Sequence, residues 1–586
     1  MDEIKGLFAG RKKPDIKSGW DLYEKALKFN ASIRLNETVN VNENFYIGKQ
    51  WEGVESNGLP TPQFNFLKRV VGFIVATITT DNIKVTASPL SNVPNVQSYI
   101  QPAQIINNEF EALAERNKIP ALMRVYARDA AVRSDGCIYS YWDEEADTGQ
   151  DAKGDIRSEV LENNRVFFGN PNSREVQPQP WIIIATRETV RDAKRKAKAN
   201  GFEDWDSIIP DTDQRFVDAA KLTDDEKVTL LTLLWRDEES KTIWAYEFTE
   251  KCAVKEPTDL GLKLYPVCWL NWDYVQDCYH GQAMITGLIP NQIFVNKIWA
   301  LSMLSFLKTA YPKYLYDNTR IKKLDNRVGS AIGVAGGDIN NAVKILDPAT
   351  ISPQIAQFIE LAVTQTEESL GATSVALGDT RPDNTSAIIA LQRAASTPTE
   401  LTKQNLYMSI EDLHRIYLDF MAEYYGKRMV DVETPEEVSK MYAFAGMPAP
   451  ETVQIEFDFS MLKDHPMTLK LDVGASSYYS EIASMQTLDN LLRDGHISIL
   501  QYLERIPDGY IPARRALIAE ILRSQQAQMA AMPPTAGEQP LMGMPAGPPG
   551  DGELIETGDK PEIPTGGGFS ALQRKVLETG TTEGLV

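Results

Sequence analysis

Residues 371–394 read GATSVALGDTRPDNTSAIIALQRA, and this stretch poses the main question about the fold. A segment rich in Gly, Asp, Pro and Asn separates two stretches with helical periodicity. Most connections between helices are only a few residues long, whereas this one spans roughly ten. Gly378 and Asn384 permit many backbone conformations, and Pro382 restricts them. The sequence therefore predicts an extended loop between two long helices.

The flanking segments predict helices around a small insert. SPQIAQFIELAVTQTEESLG begins with Ser352 as a candidate N-cap and Pro353 at the first helical position. After the loop, a helical pattern runs from about 386 to 425, and Pro398 should kink or break it. Upstream, NQIFVNKIWALSMLSFLKTA predicts a long helix with a mixed face. Between these helices, residues 311–350 predict a compact insert, with strands KYLY, AIGVA and VKIL and a small helix TRIKKLDNRVG.

The rest of the chain predicts an α+β fold. Helical patterns cover 18–50 and 99–134, surface helices are expected within 186–228, and a short helix with one strand within 430–470. Strands are predicted at IKVTA, CIYSYW, RVFFG and WIIIA, and KVTLLTLLWRDE with KTIWAYEFTE predicts a hairpin. Two or three helices should follow from 476 to 528, before a Pro-, Gly- and Met-rich tail that we expect to be disordered or extended.

The charge balance argues against a protein that grips nucleic acid. The chain has 81 acidic and 60 basic residues among 586, a formal net charge of −21, whereas tight binding of a phosphate backbone needs a basic surplus. The four cysteines form no CxxC pair, which favours reduced thiols. The apolar runs 70–79 and 298–307 are too short to cross a bilayer, and no signal peptide is visible. We therefore expect that the protein is made in the cytoplasm and does not associate with a membrane.

No enzyme motif emerges. The nearest spacing to a P-loop, Gly48 to Gly53, is followed by Val54 instead of lysine, and neither HExxH nor GxSxG occurs. Acidic runs at 143–147 and 224–225 could hold magnesium for nuclease chemistry, but such runs are usually solvated surface. The sequence predicts no catalytic residue, no metal site and no cofactor.

Several segments resemble phage portal proteins. They are ENFYIGKQWEG, GCIYSYWD with NNRVFFGNPNSREV and WIII, GLIPNQIFVNK, VALGDTRPDNTSAIIALQRAAS, and LLRDGHISILQYLERIPDGYIP. Each segment alone is a weak signal, but their order is fairly specific, and together they extend from about residue 40 to 525.

The resemblance implies a virion protein that forms a ring, usually of about twelve subunits, at one capsid vertex. Double-stranded DNA would pass through its channel during packaging and ejection, without sequence specificity. Implied partners are terminase, the major capsid protein, a scaffold protein and head–tail adaptor or tail proteins. Assembly would take place in the host cytoplasm. The implied segments are wing (1–282), first stem helix (283–310), clip (311–350), second stem helix (351–372), tunnel loop (373–384), long kinked helix and wing (385–470), helical crown (471–528) and tail (529–586).

The resemblance also implies site residues. The tunnel loop would consist of Thr373, Ser374, Val375, Ala376, Leu377, Gly378, Asp379, Thr380, Arg381, Pro382, Asp383 and Asn384. Candidates for the stem and channel are Asn291, Gln292, Asn296, Lys297, Lys308, Glu360 and Glu367. The three polar residues at the start of this set would suit contacts between subunits. Clip residues that could dock partners are Arg320, Lys322, Lys323 and Arg327.

Two other interpretations stay open at this point. A metal-dependent phage nuclease would need the acidic clusters to converge on a pocket. Another structural protein of the virion, such as a capsid or tail component, is the second, although capsid subunits are usually shorter and lack two stem-like helices around a small insert.

Overall fold

The computed structural model describes most of the chain. The described residues are 15–56, 58–80, 83–89, 100–150, 152–211, 226–310, 314–323, 333–337, 342–345, 354–369, 399–433, 452–463, 467–473 and 478–506, with isolated positions between 511 and 521. The chain divides into two compact units, residues 1–498 and 499–586. Within the described part, eleven α-helices and several small antiparallel sheets confirm the predicted α+β class. The division into wing, stem, clip and crown stays a prediction.

The first helices surround an apolar core. Two helices, α1 (Ile16–Ser32) and α2 (Leu35–Ile47), replace the single one predicted over 18–50, because Arg34 between them has φ of 53°, which ends a right-handed helix. The apolar segment before the predicted strand IKVTA, for which the sequence predicted no helix, forms α3 (Phe66–Thr79). The Asn65 side chain caps it by accepting a hydrogen bond from Lys68 N at 3.1 Å.

Two more helices lead into a three-stranded sheet. The helical stretch predicted over 99–134 is broken at Lys118 (φ 51°) into α4 (Ile100–Arg116) and α5 (Ile119–Arg133). The strands are β2 (Asp135–Asp143), β3 (Asp155–Leu161) and β9 (Val267–Asn271), with β2 in the centre. The prediction of a strand at CIYSYW is confirmed, whereas β3 was not predicted.

A five-stranded antiparallel sheet packs against α1. Its order is β4 (Val166–Phe168), β5 (Trp181–Thr189), β6 (Lys227–Arg236), β7 (Ile243–Phe248) and β8 (Ala253–Asp259). The predicted hairpin is confirmed by β6 and β7, with Trp235 opposite Trp244. Within 186–228, the described residues form the end of β5, one helix, α6 (Val190–Ala199), a 3₁₀ turn and the first residues of β6. Leu22 and Tyr23 of α1 join the core of this sheet.

The long helix α7 (Met284–Ala310) and α8 (Gln354–Ser369) follow the predicted stem segments. Between them, β10 (Tyr314–Tyr316) pairs with β11 (Val343–Ile345) in an antiparallel hairpin. The small helix predicted at TRIKKLDNRVG is not seen in its described part, where residues 318–320 form a turn and 321–323 are not helical.

The last part of the first unit adds strands that the sequence pattern missed. Helix α9 (Glu400–Phe420) begins just after Pro398 and continues as a π-helical turn (Met421–Tyr425). Instead of a short helix and one strand within 430–470, the described residues form β12 (Lys427–Glu433), β13 (Thr452–Asp458) and β14 (Met467–Val473). β12 pairs with β13, and β14 pairs with β1 (Ile83–Pro89). Helix α10 (Tyr478–Arg493) follows, and α11 (Ile499–Arg505) lies in the second unit.

His414 of α9 makes the core sensitive to acid. Its Nδ1 lies 2.8 Å from the carbonyl oxygen of Ile410, and the ring packs edge-on against Phe110. Burial lowers the pKa of this imidazole from 6.5 to about 4. Between about pH 4 and pH 6.5, His414 therefore stays neutral in the folded protein, whereas the same imidazole binds a proton in the unfolded chain.

We expect the free energy of unfolding to fall by about 2 kcal/mol between pH 7 and pH 5 through His414 alone. The variant H414F should lose this contribution to the pH dependence, as measured by urea unfolding at both pH values. H496Q, which changes an exposed histidine, is the control and should keep the full dependence. Equal pH dependence in H414F and the unmodified protein would contradict the assignment.

Candidate functional site

The helix pair α7 and α8 is the candidate functional site. With 27 residues, α7 is about 40 Å long, comparable with the width of a small domain. A hydrogen bond from Asn291 Nδ2 to Thr366 Oγ1, 2.9 Å long, joins the two helices. Ile359 and Val363 of α8 pack against the main core of the first unit. The start of α7 is therefore fixed within its own subunit.

Two residues predicted to make polar contacts between subunits have their hydrogen-bond partners within their own subunit. Gln292 and Asn296 are buried inside the subunit, and Gln292 Nε2 donates to Asn296 Oδ1 at 2.9 Å and to the carbonyl oxygen of Phe64 at 2.6 Å. Asn296 Nδ2 donates to Gln50 Oε1 at 2.6 Å. These amides satisfy buried polar groups of the α2–α3 connection, so they face neither a channel nor a neighbouring copy. Asn291 is exposed but is engaged with α8 as described above.

The second half of α7 has an exposed apolar surface. None of residues 301–307 is buried, although four of the seven are large apolar side chains at least two-fifths exposed. Phe306 is 65% exposed and Leu301 58%, and on α8 Phe358 is 55% exposed. We name this set the stem face; its members are Ile293, Phe294, Trp299, Leu301, Met303, Phe306 and Leu307 of α7, with Phe358 and Leu361 of α8. A concentration of large apolar side chains on exposed helix surface indicates an interaction site.

Sequence reasoning missed the stem face, although a signal for it was present. The run IWALSMLSFL (298–307) is apolar on all sides, which is the pattern of a helix that is buried all round. The sequence instead predicted a long stem helix with a mixed face, whose candidates for contacts between subunits were polar. No helix in the described part of the chain has the length and apolar character needed to cross a membrane.

The charged stem candidates differ in environment. Lys297 and Glu360 are exposed, and Glu367 is largely buried, with its Oε1 3.9 Å from Arg69 Nη1. Lys308 belongs to α7, but its side chain lies outside the described residues. Exposure leaves Lys297 and Glu360 available to a channel or to a neighbouring subunit, and a role for each stays a prediction.

The clip segment contains a turn organised by Asp317. Its carboxylate accepts a hydrogen bond from the Thr319 amide at 2.9 Å and lies 3.6 Å from the Arg320 guanidinium. Hydrogen bonds from the Thr319 hydroxyl and then from its amide, together with the charge of Arg320, keep the pKa of Asp317 below its ordinary value. Lys322 and Lys323 follow the turn and are exposed, which suits docking, whereas Arg320 is half-buried. Arg327 lies outside the described residues.

The predicted tunnel loop, Thr373–Asn384, also lies outside the described residues. Its two neighbours in the fold are described: α8 ends at Ser369, and α9 begins at Glu400. In the described part of the chain, no group of three or more His, Cys, Asp or Glu side chains is placed to hold a metal ion.

Comparison with known proteins adds the family. Residues 236–443 match the family model of the phage P22-like portal protein. No curated protein matches the chain. The matched range begins at the end of β6 and includes α7, the β10–β11 hairpin, α8 and α9, so it contains the whole candidate site. Residues 236–443 therefore form a P22-like phage portal domain, which belongs to structural proteins of the virion.

Proposed function

We propose that this portal protein assembles into a closed ring of about twelve copies at one vertex of the capsid, through which double-stranded DNA is packaged and ejected. The stem face is the observation that carries the proposal. A single subunit leaves Leu301, Phe306 and Phe358 more than half exposed, and a neighbouring copy packed against α7 and α8 would remove them from water. Family membership supports the same assembly.

The net charge of −21 suits a channel that DNA slides through. An acidic wall repels phosphates and prevents the tight binding that a basic wall would produce. Exposed basic side chains near the channel would centre the DNA duplex. Lys297 is the described candidate on α7, and Lys308 and Arg381 are candidates from the sequence.

The remaining segments receive roles by their order in the chain. The α+β region before α7 and the part from 385 to 470 would form the wing, and 471–528 the crown. Residues 373–384 would constrict the channel. The clip, with Lys322 and Lys323 exposed, would dock terminase during packaging and adaptor or tail proteins afterwards. Capsid and scaffold proteins would contact the outside of the ring.

Native mass spectrometry together with negative-stain electron microscopy tests the proposal. We expect a closed ring of about twelve subunits with a central hole of roughly duplex width, because burial of the stem face requires two neighbours for every subunit. Since ring closure could depend on other capsid components, the same measurement is made after co-expression with capsid and scaffold proteins. A protein that stays monomeric in both preparations would contradict the ring.

A further inference from the structure

A groove of about 420 Å³ lies along β9 in the first unit. Every residue of β9 lines it, and its two sides are the segment 174–178, which follows β4, and the helix α9. β9 is an edge strand, since the order of its sheet is β3–β2–β9. The edge of a strand carries backbone N–H and C=O groups that can pair with another chain. No role in the proposed ring uses this groove.

The pairing of β9 with β2 shows which of its backbone groups face outward. Just after β9, Trp272 N donates to the carbonyl oxygen of Ser134 at 3.0 Å, in register with the antiparallel pair. Residues of such a pair alternate between those bonded to the partner strand and those directed away from it. Val267, Trp269 and Asn271 therefore direct their N–H and C=O groups to the outer edge.

This outer edge is already paired at both ends of β9. Before the strand, the Gln177 side chain substitutes for a neighbouring strand: its Oε1 accepts from Tyr265 N at 2.9 Å, and its Nε2 donates to the Tyr265 carbonyl oxygen at 3.2 Å. After the strand, Asp273 and Gln282 exchange two backbone hydrogen bonds of 3.2 and 2.9 Å. Between these ends, the outward groups of the three β9 residues have no hydrogen-bond partner among the described residues. The edge thus accepts amides, and a peptide supplies amides in series.

Amide side chains close two further strand edges of the first unit in the same way. Asn107 Oδ1 accepts a hydrogen bond from Ala87 N of β1 at 2.6 Å. Gln150 Nε2 donates to the carbonyl oxygen of Met429 of β12 at 2.9 Å. Proteins cover their edge strands because an open edge pairs with other chains. Along 267–271 the described residues provide no such cover, which indicates a binding function for this edge.

Helix α9 runs antiparallel to β9 along one side of the groove. Tyr417 Oη lies 2.8 Å from Ser158 Oγ, in the row of the sheet that also contains Pro266. Asp412 lies more than one turn earlier in α9 and is close to Cys268, because burial, followed by the charge of Asp412, raises the pKa of the Cys268 thiol. Residues that precede Asp412 in α9 therefore lie toward the C-terminal end of β9.

The side chains of α9 set the chemistry of a ligand. Asp412 makes no ion pair within the described part of the chain, and the nearby Arg415 pairs with Glu411. Met408, one helical turn before Asp412, is 57% exposed. The opposite side of the groove has one arginine and one glutamate, whose charges cancel. α9 thus offers an apolar contact near the end of β9 and a carboxylate near its middle.

We propose that the outer edge of β9 binds an extended segment of a partner protein, which adds to the sheet as an antiparallel strand and carries an apolar, an aromatic and a basic residue in that order. Directly opposed residues of antiparallel strands direct their side chains to the same face. The apolar residue, opposite Leu270, contacts Met408. The aromatic residue packs on Trp269, and the basic residue, opposite Cys268, reaches Asp412. Each of the three outward residues of β9 exchanges two hydrogen bonds with the segment.

Isothermal titration calorimetry of the full chain with a capped peptide tests the proposal. The peptide contains, in order, serine, threonine, leucine, tryptophan, lysine, valine and serine, and we expect saturable binding of one peptide per subunit. N-methylation of its tryptophan amide should weaken binding about tenfold or more, because this N–H donates to the Trp269 carbonyl oxygen. N-methylation of its lysine amide is the matched control and should leave binding unchanged, because that N–H is directed away from β9.

A substitution in α9 tests the direction of the added strand. D412N should bind the peptide about threefold more weakly, which is the effect of losing an exposed ion pair. E400Q removes the same charge from the first turn of α9, outside the groove, and should bind as the unmodified protein does. Equal affinity of D412N and E400Q would overturn the direction assigned to the strand.

Absence of saturable binding would overturn the site, and an equal loss with both N-methylated peptides would overturn strand addition. Because a second copy of this chain is another source of an extended segment, assembled rings and single subunits are separated by size-exclusion chromatography and titrated separately. Binding by single subunits alone would assign the edge to a neighbouring copy and overturn the partner protein. Equal binding by rings and single subunits would support it.

Discussion

The double variant L301D/F306D is expected to remain monomeric while each subunit keeps its fold. Both side chains are more than half exposed in the isolated subunit, so aspartate at these positions meets water and should not disturb the core. In the ring, each large apolar side chain contributes about 1.5–3 kcal/mol when it is buried. An aspartate in that place adds the free energy needed to remove a charge from water. The loss is therefore at least about 4 kcal/mol per interface, roughly a thousandfold in affinity.

Analytical ultracentrifugation and negative-stain images measure this loss of assembly. The control I209D/M461D introduces the same charge at two exposed apolar residues that lie outside the helix pair and outside the α2–α3 connection, and it should form rings as the unmodified protein does. Rings formed by L301D/F306D would show that the stem face is not the interface. Equal disassembly of both variants would indicate a general effect of added charge.

The second large effect is expected at Asp135, which organises a buried polar cluster at the start of β2. Its carboxylate is fully buried. It accepts hydrogen bonds of 2.6–3.1 Å from five donors, which are Ser134 Oγ, Asn163 Nδ2, Asn271 Nδ2, His280 Nδ1 and the Gly281 amide. The cluster joins β2, β9 and the turn that precedes α7, so it positions the beginning of the stem helix.

D135N should destabilise the first unit by about 3–5 kcal/mol, since an amide nitrogen would face donors and leave some of them unpaired in the core. For a unit of this size we expect a melting temperature lower by roughly 4 °C. Differential scanning fluorimetry measures the change. The control D277N alters an exposed aspartate of the same region, where φ is 54° and asparagine is tolerated, so its melting temperature should stay unchanged. An unchanged melting temperature in D135N would show that the cluster does not stabilise the fold.

Local signals in the sequence were sufficient for many elements. Pro398 was predicted to break the helical pattern after the loop, and α9 begins at Glu400, because proline acts on its immediate neighbours in the chain. The β6–β7 hairpin follows from two strand-like runs on either side of a short polar turn. The bounds of α7 and α8 were also close to the predicted ones. The resemblance to portal proteins came from the order of several short segments, and the family match over 236–443 supports it.

Only the tertiary structure decided which polar and apolar residues lie inside. Gln292 and Asn296 read as a polar helix face, yet they are buried because their partners, the Phe64 carbonyl and Gln50, come from a distant part of the chain. The pairing of β1 with β14, which places Ala87 opposite Leu469, has the same origin. Conversely, the apolar run 298–307 reads as core but extends beyond the core of its own subunit. By itself the sequence determined the local elements and the family, because those depend on neighbouring residues. The polar core and the stem face depend on contacts between distant segments, which only the folded chain brings together.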